Sequence, residues 1–366
     1  MIFARISALL VILGLVPACA IAQNRLSELK LPDGLEITSF AEVDNARTLV
    51  VVPELDVIFV GSRGETLRAV VGGVADSSGG GDVIEIAQGF KSVNGLVWHK
   101  GALYIAEQDK VSRWVIPDQN SLRKFSPEIL FSDLPDKRHH GWRYMTVGPD
   151  EKLYIGVGAP CNICAVEGYE GTIVRMNLDG SNPEVFAEGI RNTVGLAFHP
   201  ETGDLFFTDN GADNMGDDKP SEELNRATKS GQHFGYPYFG GGDFRTAQFA
   251  KVSPPEALTG PVQTFGAHQA PLGVHHYRGS NLPAEYRRDA FVALHGSWNR
   301  TEPAGYRVMR VRMDDTGKVL GSEVFIDGWL KDGSYWGRPV DIDELPDGSM
   351  LISDDHAGRI YRVRAK

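Results

Sequence analysis

The sequence predicts an all-β fold, a six-bladed β-propeller with four-stranded blades. One observation behind this is a recurring unit: a turn signal, a short strand of Leu, Ile, Val, Phe or Tyr, then polar loop residues. It reads "VPELDVIFVGSRG" from Val52, "HKGALYIAEQDKVSRWVI" from His99 and "GPDEKLYIGVGAP" from Gly148. It continues as "HPETGDLFFTDNG" from His199, "YRRDAFVALHGSW" from Tyr286 and "LPDGSMLISDDHAGRIYRV" from Leu345. The second observation is spacing. Turns at 53, 100, 149 and 200 recur about every 50 residues, and the longer later intervals hold the Gly/Pro-rich "FGYPYFGGGDFRT". The third is the absence of any sustained helical periodicity, with 42 glycines spread along the chain as turn formers. A plain β-sandwich suits that long period poorly. "LEITSFAEV" near the start is expected to add a strand to the blade built from the last residues and so close the ring.

Residues 1–22 are set apart from the propeller, which is expected to span 23–366. Arg5 starts a short basic region, "ISALLVILGLV" is apolar but too short to span a bilayer, and Ala20 and Ala22 form an A-x-A site before Gln23. This reads as a secretory signal peptide, with lipidation at Cys19 as the alternative, and places the mature protein in the periplasm or outside the cell. No later segment reads as a membrane span. In an oxidising compartment Cys161 and Cys164, the "CNIC" pair, read as a disulfide. A zinc site lacks two further soft ligands at suitable spacing, and a redox-active CxxC is the other alternative.

The composition excludes several classes. Net charge is -11, and no basic stripe interleaved with aromatics appears, which argues against a nucleic-acid partner. No G-x-G-x-x-G after a strand, P-loop or G-x-S-x-G is present, which argues against nicotinamide, nucleoside triphosphate and serine hydrolase chemistry.

Four stretches remain as carriers of chemistry. "DKRHHGWRYMTVGPD" sets His139 and His140 beside Trp142 before a strand, where an imidazole suits a general base. Arg191 and Asn192 in "GIRNTVGLAFHP" and Arg338 in "WGRPVDIDELPDG" also precede strands, and Arg300 ends "LHGSWNR". Arginines at matching positions of different repeats are expected to converge on a polyanionic ligand. The oxygen-rich "DNGADNMGDD" after a strand suits Ca²⁺, although its spacing is not that of an EF-hand; a solvated acidic loop is the other reading.

Taken in order, "HHGWR", "VGPDEKLYIGVG", "CNIC", "GIRNTVGLAFHPETGDLFFTDNGADNMGDD", "ELNRATKSGQHFGYPY", "GAHQAPLGVHHY", "FVALHGSWNR" and "WGRPVDIDELPDG" resemble the PQQ-dependent soluble sugar dehydrogenases. Within that glucose/sorbosone dehydrogenase group the sorbosone dehydrogenase-like branch is the most similar, over nearly all of the mature chain. The resemblance implies a six-bladed propeller, pyrroloquinoline quinone (PQQ) on its axis, Ca²⁺ bound to the quinone, and oxidation of a sugar or aldehyde with electrons passing to an external acceptor. It implies His140 as general base, with His139 beside it. It implies Arg191, Asn192, His268, Arg300 and Arg338 as cofactor contacts, and main-chain oxygens of Gly211 and Ala212 as metal ligands. Glucose-oxidising members carry Asp where this chain has Ala159 and Pro where it has Ala212, which separates the chain from glucose specificity. A Ca²⁺-dependent sugar lactonase and a non-catalytic periplasmic binding propeller are the alternative functions.

Overall fold

The computed structural model describes residues 25–366; the expected leader lies outside the described residues. Six antiparallel four-stranded sheets stand around one axis, as the sequence predicts. The first blade runs from the axis outward as Leu49–Val52, Val57–Val60, Thr66–Val71 and Asp82–Gln88. The second blade is Gly95–His99, Ala102–Ala106, Val111–Val115 and Glu128–Phe131. The third is Met145–Val147, Lys152–Val157, Thr172–Asn177 and Glu184–Glu188, with Gln232–His233 added in parallel at its outer edge. The fourth is Leu196–Phe198, Leu205–Asp209, Glu222–Ala227 and Gln263–Phe265. The fifth is Pro271–His276, Ala290–Leu294, Arg307–Met313 and Val319–Ile326. The sixth takes Pro339–Glu344, Met350–Asp354 and Arg359–Ala365 from the end of the chain, and Leu35–Glu42 pairs antiparallel with Arg359–Ala365 to close the ring.

The repeating apolar runs are the second strands. They are buried on both faces because a blade lies against each side, so they read as continuous runs rather than alternating ones. The outer strand of the first blade, by contrast, has no fully buried residue. The core is accordingly a set of interblade layers. Phe59 and Leu67 pack with Leu103 and Trp114 between the first two blades. Phe40 and Ile360 pack with Ile58 and Val70 where the closing blade meets the first. Breaking one layer exposes two blades at once, so the closing strand secures the whole ring.

Inner strands must approach closely at the axis, and glycine allows it. A Cβ on Gly195 would fall on the Leu272 carbonyl, and one on Gly95 would sit 2.9 Å from the Arg143 carbonyl. Val194, Leu272 and Val340 then form a small apolar plug on the axis. It separates a large cavity at one end from a second opening at the other.

Candidate active site

Two kinds of loop gather at one end of the ring: those leading into inner strands, and those leaving second strands. Together they enclose a cavity of 630 Å³. Loops of the first kind bring His139, His140, Trp142, Arg191, Asn192, His268 and Arg338 to it. Loops of the second kind bring Arg63, Gly211, Asp213, His295, Trp298 and Asn299. The axial plug forms the floor through Val194 and Leu272.

One local device aims the arginines. Asp209, the last residue of a second strand, accepts the backbone N–H of Arg191 at 2.9 Å and of Asn192 at 2.6 Å. Asp354, the last residue of the equivalent strand in the sixth blade, accepts the N–H of Arg338 at 2.8 Å. Each carboxylate pins the corner where the chain turns into the inner strand, so Arg191 and Arg338 occupy equivalent places. Burial pushes Asp209 up to about 6, against the pull of the N–H groups it accepts.

Arg191 is heavily engaged. It pairs with Asp213 at 2.7 Å and donates to the carbonyls of Asn162 and Asn210. Arg338 donates to the carbonyls of His295 and Gly296, and its guanidinium lies 5.7 and 5.3 Å from the rings of Tyr306 and Tyr335. Arg63 stands over the Trp142 ring at 4.2 Å. Among the described residues Arg63, Arg138 and Arg338 make no ion pair, so the cavity carries uncompensated positive charge in a chain whose net charge is -11.

His140 is buried, with its backbone at φ 51°. Its Nδ1 lies 2.8 Å from the Ala159 carbonyl, which can only accept, so Nδ1 carries the proton. Nε2 is left as a lone pair without a hydrogen-bond partner among the described residues. Burial, then the Arg191 and His139 charges, lower the imidazole to about 2, so it stays neutral across the physiological range. Ala159 stands where the resemblance places an Asp, and its main-chain oxygen does the orienting. The His139 ring is 4.0 Å away and more exposed.

A second imidazole was not singled out from sequence. His295 follows a second strand, and its Nε2 lies 2.8 Å from Asp355, which pairs with buried Arg47 at 2.6 Å. Burial lowers His295 to about 3 despite the carboxylate, so a neutral ring donates Nε2–H. Burial opposes ionisation of Asp355, but His295, Arg47 and Arg63 hold it well below the usual carboxylate range. Arg63, Trp298 and Asn299 were missed too. The signal that could have found them is positional: "GSRG", "LHGSWN", "TDNG" and "SDDH" all follow second strands.

The remaining expected site residues divide. His268 lines the cavity, with Nε2 on the Gly216 carbonyl at 2.7 Å and Nδ1 facing Asn299 at 3.4 Å. Gly211 lines it as well, while Ala212 lies behind, against a small space of 20 Å³ shared with Asp209 and Glu223. Arg300 departs from the expected equivalence. It follows a second strand instead of leading into an inner one, it does not line the cavity, and its guanidinium is held by the carbonyls of Asp217 and Ala267. The acidic loop after Asp209 is thus largely tied to arginines, through Asp213 on Arg191 and Asp217 on Arg300.

The donor set fits an anionic, oxygen-bearing cofactor. Its donors are the guanidinium groups of Arg63, Arg138, Arg191 and Arg338. Asn192 Oδ1 and Asn299 Oδ1, buried without a hydrogen-bond partner among the described residues, only accept and call for an N–H, an O–H or a cation. Among the described residues no cluster of three or more His, Cys, Asp or Glu could hold a metal, so a cation here would rely on main-chain oxygens. In the 210–217 loop the carbonyls of Asn210, Asp213, Gly216 and Asp217 accept protein donors. No donor among the described residues meets those of Gly211 and Ala212.

Comparison with known proteins agrees with this geometry. The chain is 34% identical over 356 residues to an uncharacterised protein of Borreliella burgdorferi, covering 93% of this chain and 92% of that one. Two solved structures share the fold. The holo PQQ domain of pyranose dehydrogenase from Coprinopsis cinerea has a TM-score of 0.73 at 17% identity, covering 92% of this chain and 97% of that one. The PQQ-bound aldose sugar dehydrogenase of Streptomyces coelicolor has a TM-score of 0.65 at 18% identity, covering 92% and 100%. The profile described as Glucose / Sorbosone dehydrogenase matches residues 39–362, from the closing strand to the last one, and the chain belongs to that family.

Proposed function

We propose that this chain is a quinoprotein that oxidises a sugar or a sorbosone-like aldehyde, holding PQQ and Ca²⁺ in the 630 Å³ cavity. The observation that carries this reading is the excess of guanidinium groups without an ion pair among the described residues that line this cavity. PQQ, a tricarboxylate, supplies a two-electron hydride acceptor when bound, and Ca²⁺ adds Lewis acidity. Arg191, Arg338, Asn192 and His268 would hold the quinone, with Arg63 as a further cation; Arg300 would act only by fixing the loop that carries Asp217. The main-chain oxygen of Gly211, which no donor among the described residues meets, would hold the metal; Ala212, the other expected ligand, lies behind the cavity wall.

His140 would take the substrate hydroxyl proton at Nε2, because the Ala159 carbonyl fixes the tautomer that leaves that lone pair available. The positive charge generated would then sit near Arg191, so the base returns its proton readily. Trp298, 69% exposed and lining the cavity, offers a ring face for a sugar, while Arg63 covers one face of Trp142. The expected leader would carry the protein out of the cytoplasm, and the Cys161–Cys164 bridge suits such a compartment.

The test is reconstitution of the purified protein with PQQ and CaCl₂, followed by aldoses and aldehydes with a dye acceptor. Stoichiometric quinone uptake and dye reduction requiring both additions are expected. Failure to take up the quinone, or lactone hydrolysis with Ca²⁺ alone, would overturn the reading.

A further inference from the structure

The "CNIC" segment plays no part in the chemistry above, yet it lies against its cofactor contacts. Cys161 and Cys164 are bridged, with Cα atoms 6.1 Å apart. Tyr236, almost fully buried, accepts the Cys164 N–H at 3.0 Å and touches Cys161 Sγ at 3.5 Å. Asn162 is held inside this small ring and spends its side chain on two partners. Its Oδ1 accepts Arg191 Nη2–H and the Asp213 N–H, both at 2.8 Å. Its Nδ2 donates to the Asp213 carbonyl at 2.9 Å, and its own carbonyl accepts Arg191 Nε–H at 3.0 Å.

We propose that Asn162 is a positioning residue: the bridged loop uses it as a template that locks the Arg191 fork and the 210–213 loop in register with the cavity. The hydrogen-bond count on Arg191 shows what the lock achieves. A guanidinium has five N–H groups. The bonds to Asn162, Asn210 and Asp213 use both Nη2 hydrogens, Nε–H and one on Nη1. One Nη1–H stays free for a ligand, in a direction the other four fix. The same amide of Asn162 pairs in two-point fashion with the main chain of Asp213, immediately after Gly211 and Ala212. A single polar side chain outside the cavity thus sets both the cationic contact and the main-chain oxygens of the metal loop. Short loops of this kind keep a side chain in place only if they cannot unwind, and the disulfide with its Tyr236 strap prevents that.

The inference rests on reading Arg191 as a cofactor contact, so the experiment has two arms. In the first, wild type, Asn162→Ala and Asn162→Asp are titrated with PQQ in the presence of CaCl₂. Asn162→Ala is expected to weaken binding about tenfold or more. Asn162→Asp keeps the acceptor for Arg191 and should recover part of that loss. In the second arm, amide hydrogen exchange is followed without cofactor. The Asp213 amide, which loses its acceptor in Asn162→Ala, should exchange at least tenfold faster while the blade strands keep their protection. The double variant Cys161→Ser/Cys164→Ser should move both readouts the same way, and wild-type values there remove the bridge from the account. Wild-type exchange at Asp213 in Asn162→Ala, or wild-type affinity in a protein that does bind PQQ, overturns the positioning role. A wild type that takes up no quinone defeats the proposed function instead, and the exchange arm still decides on Asn162.

Discussion

The two ends of the ring are built on the same strands and differ in almost everything else. At one end, loops of unequal length leave Arg63, Arg138 and Arg338 without an ion pair among the described residues, and Asn192 and Asn299 with unmet oxygens. At the other, the turns between inner and second strands surround an opening of 330 Å³ lined by the inner strands, with aliphatic side chains beside His275, His276, Arg278 and Asp343. Several polar groups there are matched to each other, although His276 Nε2 is left unmet among the described residues. His275 meets Glu344 at 2.6 Å, Asp343 accepts the Val51 N–H, and Glu344 also takes the Arg278 N–H. Unmatched polar groups are expensive, and the cavity end holds the larger share of them, which favours a ligand there.

The sharpest way to break the comparison is to remove the base. His140→Asn is the suitable variant, because the backbone at φ 51° tolerates Asn better than most residues. Turnover of the reconstituted protein should fall by roughly 10²–10⁴, the usual share of a general base, with quinone uptake within a few-fold of wild type. The matched imidazole at the other end is the control: His275→Asn should leave turnover unchanged. Full activity in His140→Asn would leave the cavity as a binding site without the assigned chemistry.

How much of this was legible depends on which end is considered. The turns "VPEL", "GPDE", "HPETG" and "LPDG" repeat because they do the same job six times over, so they revealed period and blade number. The closing strand was legible because a ring of blades needs closing and "LEITSFAEV" stands near the start, ahead of the first repeat. The cavity loops do not repeat, and a non-repeating loop has no internal standard to be read against. His140, Arg191, Asn192 and Arg338 stood out by their places just before strands, the resemblance gave them roles and added His268, and the cavity gathers them all. His295 stayed hidden because its significance lies in Asp355 and Arg47, sixty and more residues away in sequence. Arg300 was placed by an assumed equivalence of repeat position and by the resemblance, and the carbonyls that hold it are visible only in three dimensions.

Between the two ends lies Asp341, on the inner strand of the sixth blade, and it gives a middle-sized prediction. Its oxygens accept the Leu49 N–H at 3.0 Å and the Tyr144 hydroxyl at 3.0 Å, and burial raises its carboxyl to about 7. The unfolded chain loses that proton near pH 4. Between about pH 4 and 7 the folded state therefore holds a proton the unfolded state has released, and stability falls as pH rises, at up to about 1.4 kcal/mol per unit. Asp341→Asn keeps acceptor and shape and removes the proton. Urea unfolding of the cofactor-free protein at pH 5 and pH 7 should show the variant with the flatter dependence and the higher stability at pH 7. An unchanged slope would mean that Asp341 is ionised on the axis and that the plug admits water.

The smallest effect belongs to the turn face itself. Glu151 meets His99 at 3.2 Å and also contacts Lys100, and the Lys100 hydrogen bond followed by that of His99 lowers its carboxyl below the usual range. The group is exposed, so water and salt screen what the charges gain and two long side chains lose freedom in meeting. Glu151→Gln should shift the thermal midpoint by less than about 1 °C and leave turnover untouched. The acidic partner is dispensable because the turn, at φ 59°, is set by its backbone and the flanking strands. A clear loss of turnover in Glu151→Gln would mean that the turn face is coupled to the cavity through the inner strands. The two ends would then have to be treated as one device, with the apolar plug transmitting between them where here it only separates them.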